Sequence, residues 1–395
     1  MKKAIAFILA LAILASVAVF SSSAASKVSG IRQVDSSTSS FKIAWNDDFG
    51  ADKTIIDISA NGANGDYNKS DYSTSFDNWC YGLSAGKTYY VKLTPVINGR
   101  TATEYTSDPF PVATAPNSVS DLKQTNATTN SYTISWQSSY GATKYGIYRY
   151  ANSTEELIGT TTKTSYTVKN VSNKKRLEYT TYVRAIRNVN GYDAKSYYNS
   201  ISDYTINLVP PKSKIKTSSI YDSMGVVYFD FESCPFQKGY EVNVYKANKK
   251  KIFTSGTGYR YTNFKKGQFY KAKGRAWTQV GASQKHYNGK WSGFTYFCLG
   301  SKKSNASSGK SSINFSWNKV KGGKVKYDIF VSKSFKTGMK KFKKNVSGTS
   351  VKVTKYGKQR LSRRTYYYVY VQPKLKVGKK WVKSQIMNYN GLYTK

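Results

Sequence analysis

The chain has 395 residues and carries 62 lysines and arginines against 21 acidic residues, a formal net charge of +41. Its 35 tyrosines and 18 phenylalanines favour strands, and no apolar pattern of helical period follows residue 25. The single histidine, His286, leaves a histidine metal site or a Ser–His triad without a second histidine. The three cysteines are too few for a disulfide framework, and we expect free thiols.

The first 25 residues predict a secretory signal peptide. Lys2 and Lys3 precede an apolar run from Ala4 to Phe20, and small residues follow up to Ala25. The run is shorter than the ~20 residues that cross a membrane. We therefore expect a secreted, extracellular chain, able to associate with a cell envelope, with no transmembrane segment in its mature part.

One turn-and-strand motif recurs along the chain. Leu83, Gly86 and Tyr89 open a strand whose alternate residues Tyr89, Val91 and Leu93 would face a core. A constant spacing near 90 residues between copies indicates tandem domains. The tyrosines of the successive copies are Tyr89, Tyr179, Tyr270 and Tyr367, and the domains predicted after the signal peptide (1–25) are residues 26–114, 115–210, 211–300 and 301–395.

Two further strands recur in the copies. An early strand carries Trp45, Trp136 or Trp317, and the next begins as Tyr145-Gly146-Ile147-Tyr148 does. Together with the Leu-x-x-Gly-x-x-Tyr turn, these strands resemble the fibronectin type III domains of bacterial secreted proteins. The resemblance implies four tandem immunoglobulin-like β-sandwiches, in which these tyrosines and tryptophans are structural. It implies no ligand, because this fold serves many functions.

The positive charge increases along the chain. The four predicted domains carry net charges of −2, +5, +12 and +24 in order. Such a density exceeds what solubility needs and repels itself. We therefore predict association of the basic C-terminal half with an extracellular polyanion, such as a cell-wall polymer or an acidic glycan. The alternative to this prediction is a charge-tolerant surface with no dedicated partner.

Alternation along the strands predicts which side chains face outward. Lys271, Lys273 and Arg275 would form a basic row, and Tyr368 and Tyr370 would form an aromatic strip beside the neighbouring strand. These side chains would hold the polyanion or stack on sugars or bases. The complete set of predicted ligand-binding residues is Lys271, Lys273, Arg275, Lys326, Phe330, Tyr368, Tyr370, Lys379, Lys380 and Trp381, with Lys374 and Lys376 as an extension of the same hairpin.

The remaining predictions concern chemistry and junctions. No catalytic group, cofactor or metal is expected. The alternative for Asp47, Asp48 and Asp52, which share a loop, is a Ca²⁺ site, because clustered oxygens bind hard cations. The predicted function is that of a non-enzymatic adhesion protein of a cell surface or matrix. The alternatives are a carbohydrate-binding accessory module and, after it, an extracellular nucleic-acid binder. Prolines predict rigid linkers at the first two junctions, whereas the Ser- and Lys-rich segment 301–312 predicts a looser third junction.

Overall fold

The repeats fold into pairs of antiparallel β-sheets. The computed structural model describes residues 26–202, 205–221, 224–248, 251–255, 260–283 and 285–395, so that the predicted signal peptide lies outside the described residues. Within these ranges the chain forms four three-stranded sheets, four five-stranded sheets and one two-stranded sheet, and it contains no α-helix. We name each pair of larger sheets a sandwich and number the sandwiches in chain order.

The first two sandwiches have the same order of strands. The first consists of β1 (Arg32–Ser36), β2 (Phe41–Ala44), β3 (Lys53–Ser59), β4 (Lys69–Ser73), β5 (Asp77–Cys80), β6 (Thr88–Ile97), β7 (Arg100–Thr101) and β8 (Phe110–Ala113), with a 3-10 helix at Thr103–Tyr105. The second consists of β9 (Ser120–Ala127), β10 (Tyr132–Gln137), β11 (Lys144–Ala151), β12 (Thr154–Thr161), β13 (Ser165–Val168), β14 (Thr180–Val189), β15 (Tyr192–Lys195) and β16 (Asn199–Ile201).

The last two sandwiches repeat this order. The third consists of β17 (Ile215–Tyr221), β18 (Val226–Phe231), β19 (Gly239–Lys246), β20 (Lys251–Ser255), β21 (Arg260–Tyr261), β22 (Phe269–Thr278), β23 (Tyr287–Asn288) and β24 (Thr295–Cys298). The fourth consists of β25 (Ser304–Gly309), β26 (Ser312–Trp317), β27 (Val325–Ser332), β28 (Lys340–Val346), β29 (Ser350–Val353), the hairpin β30 (Lys355–Tyr356) and β31 (Gln359–Arg360), β32 (Tyr366–Val377), β33 (Lys380–Lys383) and β34 (Met387–Tyr393).

Each sandwich divides its strands between the two sheets in the same way. The first, second and fifth strands form the three-stranded sheet, as in β1-β2-β5. The others form the five-stranded sheet, as in β4-β3-β6-β7 with β8 also on β6, except that β30 and β31 of the fourth sandwich pair only with each other. Alternate apolar residues of both sheets meet in one core, where Trp45, Trp136 and Trp317 are buried. The predicted all-β class of tandem, fibronectin type III-like sandwiches is therefore confirmed.

The tyrosine of the recurring motif is hydrogen-bonded to the backbone of its own turn in three of the four copies. The hydroxyl oxygens of Tyr89, Tyr270 and Tyr367 each accept a hydrogen bond from the backbone N–H five residues earlier, at 2.8, 3.1 and 3.1 Å. The assignment of Tyr179 is wrong. The register of β14 with β16 places Thr181 at the equivalent position, and its hydroxyl lies 2.7 Å from the buried Tyr132 hydroxyl, so that a strand-two tyrosine fills this corner instead.

The last strand of each sandwich is interrupted at a serine. The hydroxyls of Ser107, Ser196 and Ser292 accept the backbone N–H of the facing strand at 2.9, 2.9 and 3.0 Å, which satisfies a donor where the strand changes register. In the second sandwich this serine is Ser196, which lies between β15 and β16. In the fourth, Ser384 faces Pro373, which has no N–H to donate.

The sandwiches are in direct contact at their junctions. At the first junction, the Arg187 guanidinium in the second sandwich donates to the Thr88 hydroxyl of the first at 2.9 Å. At the second junction, Phe236 of the third sandwich packs into the core of the second. The third junction is not loose, because the fully buried Phe269 and Cys298 of the third sandwich belong to the core of the fourth.

Candidate functional site

The fourth sandwich has the highest positive charge of the four, and its one carboxylate side chain is buried. Residues 301–395 contain 25 lysines and arginines and a single acidic residue, Asp328. Asp328 is 2% exposed, and its Oδ1 lies 2.6 Å from the Nζ of Lys374 and accepts the Asn345 backbone N–H at 3.0 Å. Burial opposes ionisation of Asp328, but the bonds from Lys374 and Asn345 outweigh it and lower the pKa of its carboxyl group. The exposed cations of this sandwich therefore have no carboxylate side chain of their own sandwich beside them.

The ion pair with Asp328 also shows that the predicted exposure of Lys374 is wrong. The sequence placed it on an exposed hairpin with Lys376, Lys379 and Lys380, but Lys374 is 5% exposed and donates to Asn345 Oδ1 at 2.6 Å. The three other lysines are exposed. Lys374 is drawn in by its bonds to Asp328 and Asn345, which the alternation along β32 does not reveal.

The predicted basic row lies on the outer face of the third sandwich. Along β22, Lys271, Lys273 and Arg275 are half-buried and alternate with the buried Ala272, Gly274 and Ala276. The three cations are stacked on aromatic rings, which is a feature that the sequence analysis missed. Lys271 Nζ lies 4.9 Å from the centre of the Phe294 ring, Lys273 Nζ lies 4.9 Å from the Trp291 ring, and the Arg275 guanidinium carbon lies 4.4 Å from the same ring.

The segment Trp291–Phe294 is held against β22 by its serine. Ser292 donates its backbone N–H to the Gly274 carbonyl at 2.8 Å, and its hydroxyl accepts the Gly274 N–H, which fixes Trp291 beside the cations. Arg275 is also ion-paired with Glu241 at 2.7 Å, so its charge is compensated within the sandwich. The basic row is therefore a packed ladder of cations and rings, of which Lys271 and Lys273 have the more available charges.

Trp291→Leu is expected to lower the free energy of unfolding of the third sandwich by about 0.5–2 kcal/mol. Leucine keeps apolar cover over the sheet but removes the ring face that attracts two cations. Hydrogen exchange of peptides from β22, followed by mass spectrometry against denaturant, measures this change. Trp381→Leu, in the fourth sandwich, is the matched control and should leave these peptides unchanged; equal protection in wild type and Trp291→Leu would show that the ladder contributes nothing.

The predicted aromatic strip of the fourth sandwich is interrupted, because Tyr370 is buried. Its ring is 2% exposed, and its hydroxyl oxygen accepts the backbone N–H of Lys336 at 2.7 Å. The segment between β27 and β28 folds over this ring, so the strand alternation gives the wrong exposure. Tyr368 remains half-buried beside Phe335, with ring centres 5.6 Å apart, and the half-buried Phe330 lies under Lys341 at 5.5 Å.

The other predicted ligand-binding residues form a separate group. Lys326 Nζ lies 5.4 Å from the centre of the half-buried Trp381 ring, and the exposed Lys379 and Lys380 form the adjacent turn between β32 and β33. These residues lie at the end of the fourth sandwich that faces the third, because β33 leads into Ser384, whose hydroxyl donates to the Cys298 carbonyl at 3.4 Å. Both of the last two sandwiches therefore carry lysines beside aromatic rings.

The acidic loop of the first sandwich does not converge on a common point. Asp47 Oδ1 accepts the Gly50 N–H, Asp48 Oδ2 accepts the Ser29 N–H and Asp52 Oδ2 accepts the Gly99 N–H, each at 2.9 Å. Each carboxylate thus stabilises a different stretch of loop. No group of three His, Cys, Asp or Glu residues able to hold a metal ion occurs in the described ranges.

The three cysteines are free thiols, as predicted, and two of them are buried. Burial raises the pKa of Cys80 and of Cys298 to about 12, which keeps both protonated at neutral pH. Cys234 is half-buried, and burial raises its pKa as well. His286 stacks on Trp277 with ring centres 3.9 Å apart. None of these groups has the geometry of an activated nucleophile and base.

Comparisons with known proteins find similarity to this chain only among solved structures. No family model matches the chain, and no curated protein matches it. Among solved structures, a two-domain fibronectin type III segment of chicken tenascin is 15% identical, covering 44% of this chain and 96% of its own, with a TM-score of 0.23. Domains FN1–FN3 of chicken CNTN1 are 13% identical over 71% of this chain and 100% of theirs, with a TM-score of 0.24.

The structure designated FN3tt mut is 25% identical, covering 22% of this chain and 90% of its own, with a TM-score of 0.19. The strand order of the sheets defines the class of the protein: a tandem array of fibronectin type III-like sandwiches. Over the described residues, no helix has the length and apolar character needed to cross a membrane.

Proposed function

We propose that this chain is a secreted, non-enzymatic adhesion protein of a cell surface or matrix, whose basic C-terminal half binds an extracellular polyanion. The observation that carries the proposal is the charge of the fourth sandwich, where 25 basic residues accompany one carboxylate, itself ion-paired in the interior. A field of this size destabilises the compact state through self-repulsion. Solubility alone would need a net charge of only about 2–8 per domain, so a binding role explains the excess better.

Secretion and the domain limits are part of this proposal. Its support is the signal-like pattern of residues 1–25 and the recurrence that divides the rest at 114, 210 and 300. Export would bring the basic sandwiches into contact with the charged polymers that surround cells. A cell-wall polymer or an acidic glycan is then the simplest partner for them.

One of the arguments for stacking of aromatic side chains on neutral sugars does not hold in the structure. The strip proposed for it needed both Tyr368 and Tyr370 on the surface, and Tyr370 is buried. The exposed aromatic rings that remain near β32 are flanked by lysines, such as Lys336 at 5.0 Å from the Phe335 ring. A charged ligand suits this surface better than an uncharged one.

The test is retention of the chain from residue 26 onward on immobilised polyanions. Truncation at residue 210 would remove Phe236 from the core of the second sandwich, so the whole mature chain is the appropriate material. We expect binding to heparin and to polyphosphate beads in 50 mM salt, weakened by about 10²–10⁴ in 200 mM salt if six to ten anionic groups of a flexible chain are contacted. Beads of uncharged dextran are the control. Absence of retention on every polyanion in 50 mM salt would refute the proposal.

A further inference from the structure

The strand order collects three loops at one end of the fourth sandwich, opposite the third sandwich. β25, β27 and β29 all run toward this end, and β26, β28 and β32 all run away from it. The turns after β25, after β27 and after β29 are therefore neighbours there, together with the residues that follow β34. We call this end the distal pole. Its exposed basic residues are Lys310, Lys333, Lys336, Lys340, Lys355, Lys358, Arg360, Arg363, Arg364 and Lys395.

The distal pole is uncompensated by acidic side chains. Asp328, the only acidic residue between 301 and 395, is buried on β27 against Lys374. Among the residues for which the structure gives positions, no carboxylate forms a salt bridge with Arg360, Arg363 or Arg364. The three arginines are also the only arginines of residues 301–395, and all of them lie on the turn between β29 and β32.

The backbone of the distal pole is fixed by hydrogen bonds between its loops. Arg364 donates its N–H to the Thr394 carbonyl at 3.1 Å, Lys395 donates its N–H to the Gly309 carbonyl at 2.9 Å, and the Tyr356 hydroxyl donates to the Gly338 carbonyl at 2.9 Å. Leu361, between the arginines, is 2% exposed and anchors the turn in the core. The basic side chains thus project from a preorganised surface, which reduces the entropy lost on binding.

The lysines around Tyr356 are also oriented. Lys340 Nζ lies 4.6 Å and Lys333 Nζ lies 5.8 Å from the centre of the Tyr356 ring, so both ends of the turn between β27 and β28 contribute a cation to one aromatic side chain. The turn between β29 and β32 adds arginines to them. Lysine supplies point charges, whereas the guanidinium presents a planar fork of N–H donors, is weakly hydrated and suits the recognition of phosphate.

We propose that the distal pole is the polyanion-binding surface of the fourth sandwich, and that its arginines hold the phosphate groups of a flexible polymer. This inference rests on the proposed function and specifies its site and ligand chemistry. It places the interaction away from the hairpin of Lys379, Lys380 and Trp381, which the sequence had singled out. The lysines of the pole would neutralise neighbouring phosphates of the same chain.

Two variants with equal charge loss test the location. The distal variant is Lys355→Ser, Lys358→Ser, Arg360→Ser and Arg363→Ser, and it leaves out Arg364, which has a positive φ. The proximal control is Lys376→Ser, Lys379→Ser, Lys380→Ser and Lys383→Ser, four exposed residues at the opposite end. Binding of the full mature chain to long-chain polyphosphate is measured in 50 mM salt, and hydrogen exchange verifies that the fourth sandwich is folded in both variants.

We expect the distal variant to lose at least 30-fold in affinity and the proximal control to lose less than fivefold. Equal losses would show that net charge acts without a site, and a greater loss in the proximal control would place the site at the other end; either result overturns the inference while leaving the proposed function standing. If the wild type itself binds no polyanion in 50 mM salt, the proposed function fails and the inference fails with it.

A third variant tests the ligand chemistry. Arg360→Lys, Arg363→Lys and Arg364→Lys keep the charge and remove the guanidinium forks. We expect affinity for polyphosphate to fall about fivefold or more, with affinity for a polycarboxylate such as polygalacturonate changed less than twofold. Unchanged binding to polyphosphate, or tighter binding of the wild type to polygalacturonate or heparin than to polyphosphate at equal charge, would contradict the assignment of phosphate.

Discussion

Lys374→Met is expected to lower the free energy of unfolding of the fourth sandwich by about 3–5 kcal/mol at neutral pH. The substitution keeps an apolar side chain of similar length but leaves Asp328 charged, buried and without its ion-pair partner. Lys379→Met is the surface control and should stay within about 0.5 kcal/mol. Hydrogen exchange of peptides from β27 and β32 against denaturant measures the fourth sandwich separately from the other three.

The contribution of Asp328 to the free energy of unfolding should depend on pH with opposite signs in the wild type and in Lys374→Met. In the wild type the pKa of Asp328 is lowered from 3.8, so its contribution is complete above that value and is lost as the pH falls through the lower, folded pKa. In Lys374→Met, burial without the partner raises the folded pKa, so the carboxyl group destabilises less as it becomes protonated. The difference between the proteins should therefore shrink on acidification.

The double variant Asp328→Asn with Lys374→Met checks the cause. Removing both charges abolishes the unpaired carboxylate, and we expect the variant to recover most of the loss and to show no pH dependence from this position. If the double variant were as unstable as Lys374→Met, then lost packing rather than the isolated charge would explain the effect.

Phe269→Ala is expected to destabilise the third and the fourth sandwiches together, by about 3–5 kcal/mol in total. The side chain begins β22 of the third sandwich, is fully buried and lies in the core of the fourth. Its backbone N–H also donates to the Lys321 carbonyl of the fourth sandwich at 2.8 Å. Hydrogen exchange should show lower protection in peptides from both β22 and β27.

The matched control for this prediction is Phe229→Ala. Phe229 is equally buried but lies in the core of the third sandwich alone, so its removal should lower protection there and leave β27 unchanged. A Phe269→Ala variant whose fourth sandwich kept full protection would show that the two sandwiches are independent. Their junction would then not transmit stability.

The regular features of the fold could be predicted from the sequence because each depends on local pattern. The alternation around Tyr89, Tyr270 and Tyr367 gave the strand and its buried face, and the same tyrosines accept the expected backbone bonds. The prediction for Tyr179 was wrong by two residues along the strand. The sequence does not reveal this offset, because Thr181 stands where the other copies have the tyrosine and Tyr132 fills the space from another strand. A motif with a missing member does not define its own register.

The candidate site depended on contacts that alternation does not contain. Tyr370 and Lys374 lie on the outward side of β32 by parity, yet the turn after β27 covers the first and an ion pair with Asp328 draws in the second. The distal pole brings together residues as far apart in the sequence as Lys310 and Arg363. Their proximity follows from strand direction, which could have been used once the sandwich was predicted.

The most direct measurement of the central claim is the salt dependence of binding to polyphosphate by the full mature chain. A charge-driven complex releases counterions, and about six neutralised phosphates on a flexible chain would give a slope of about −4 in a plot of log affinity against log salt concentration. The account predicts this slope for the wild type and a shallower one for the distal variant. A slope near zero, or no binding in 50 mM salt, would contradict it.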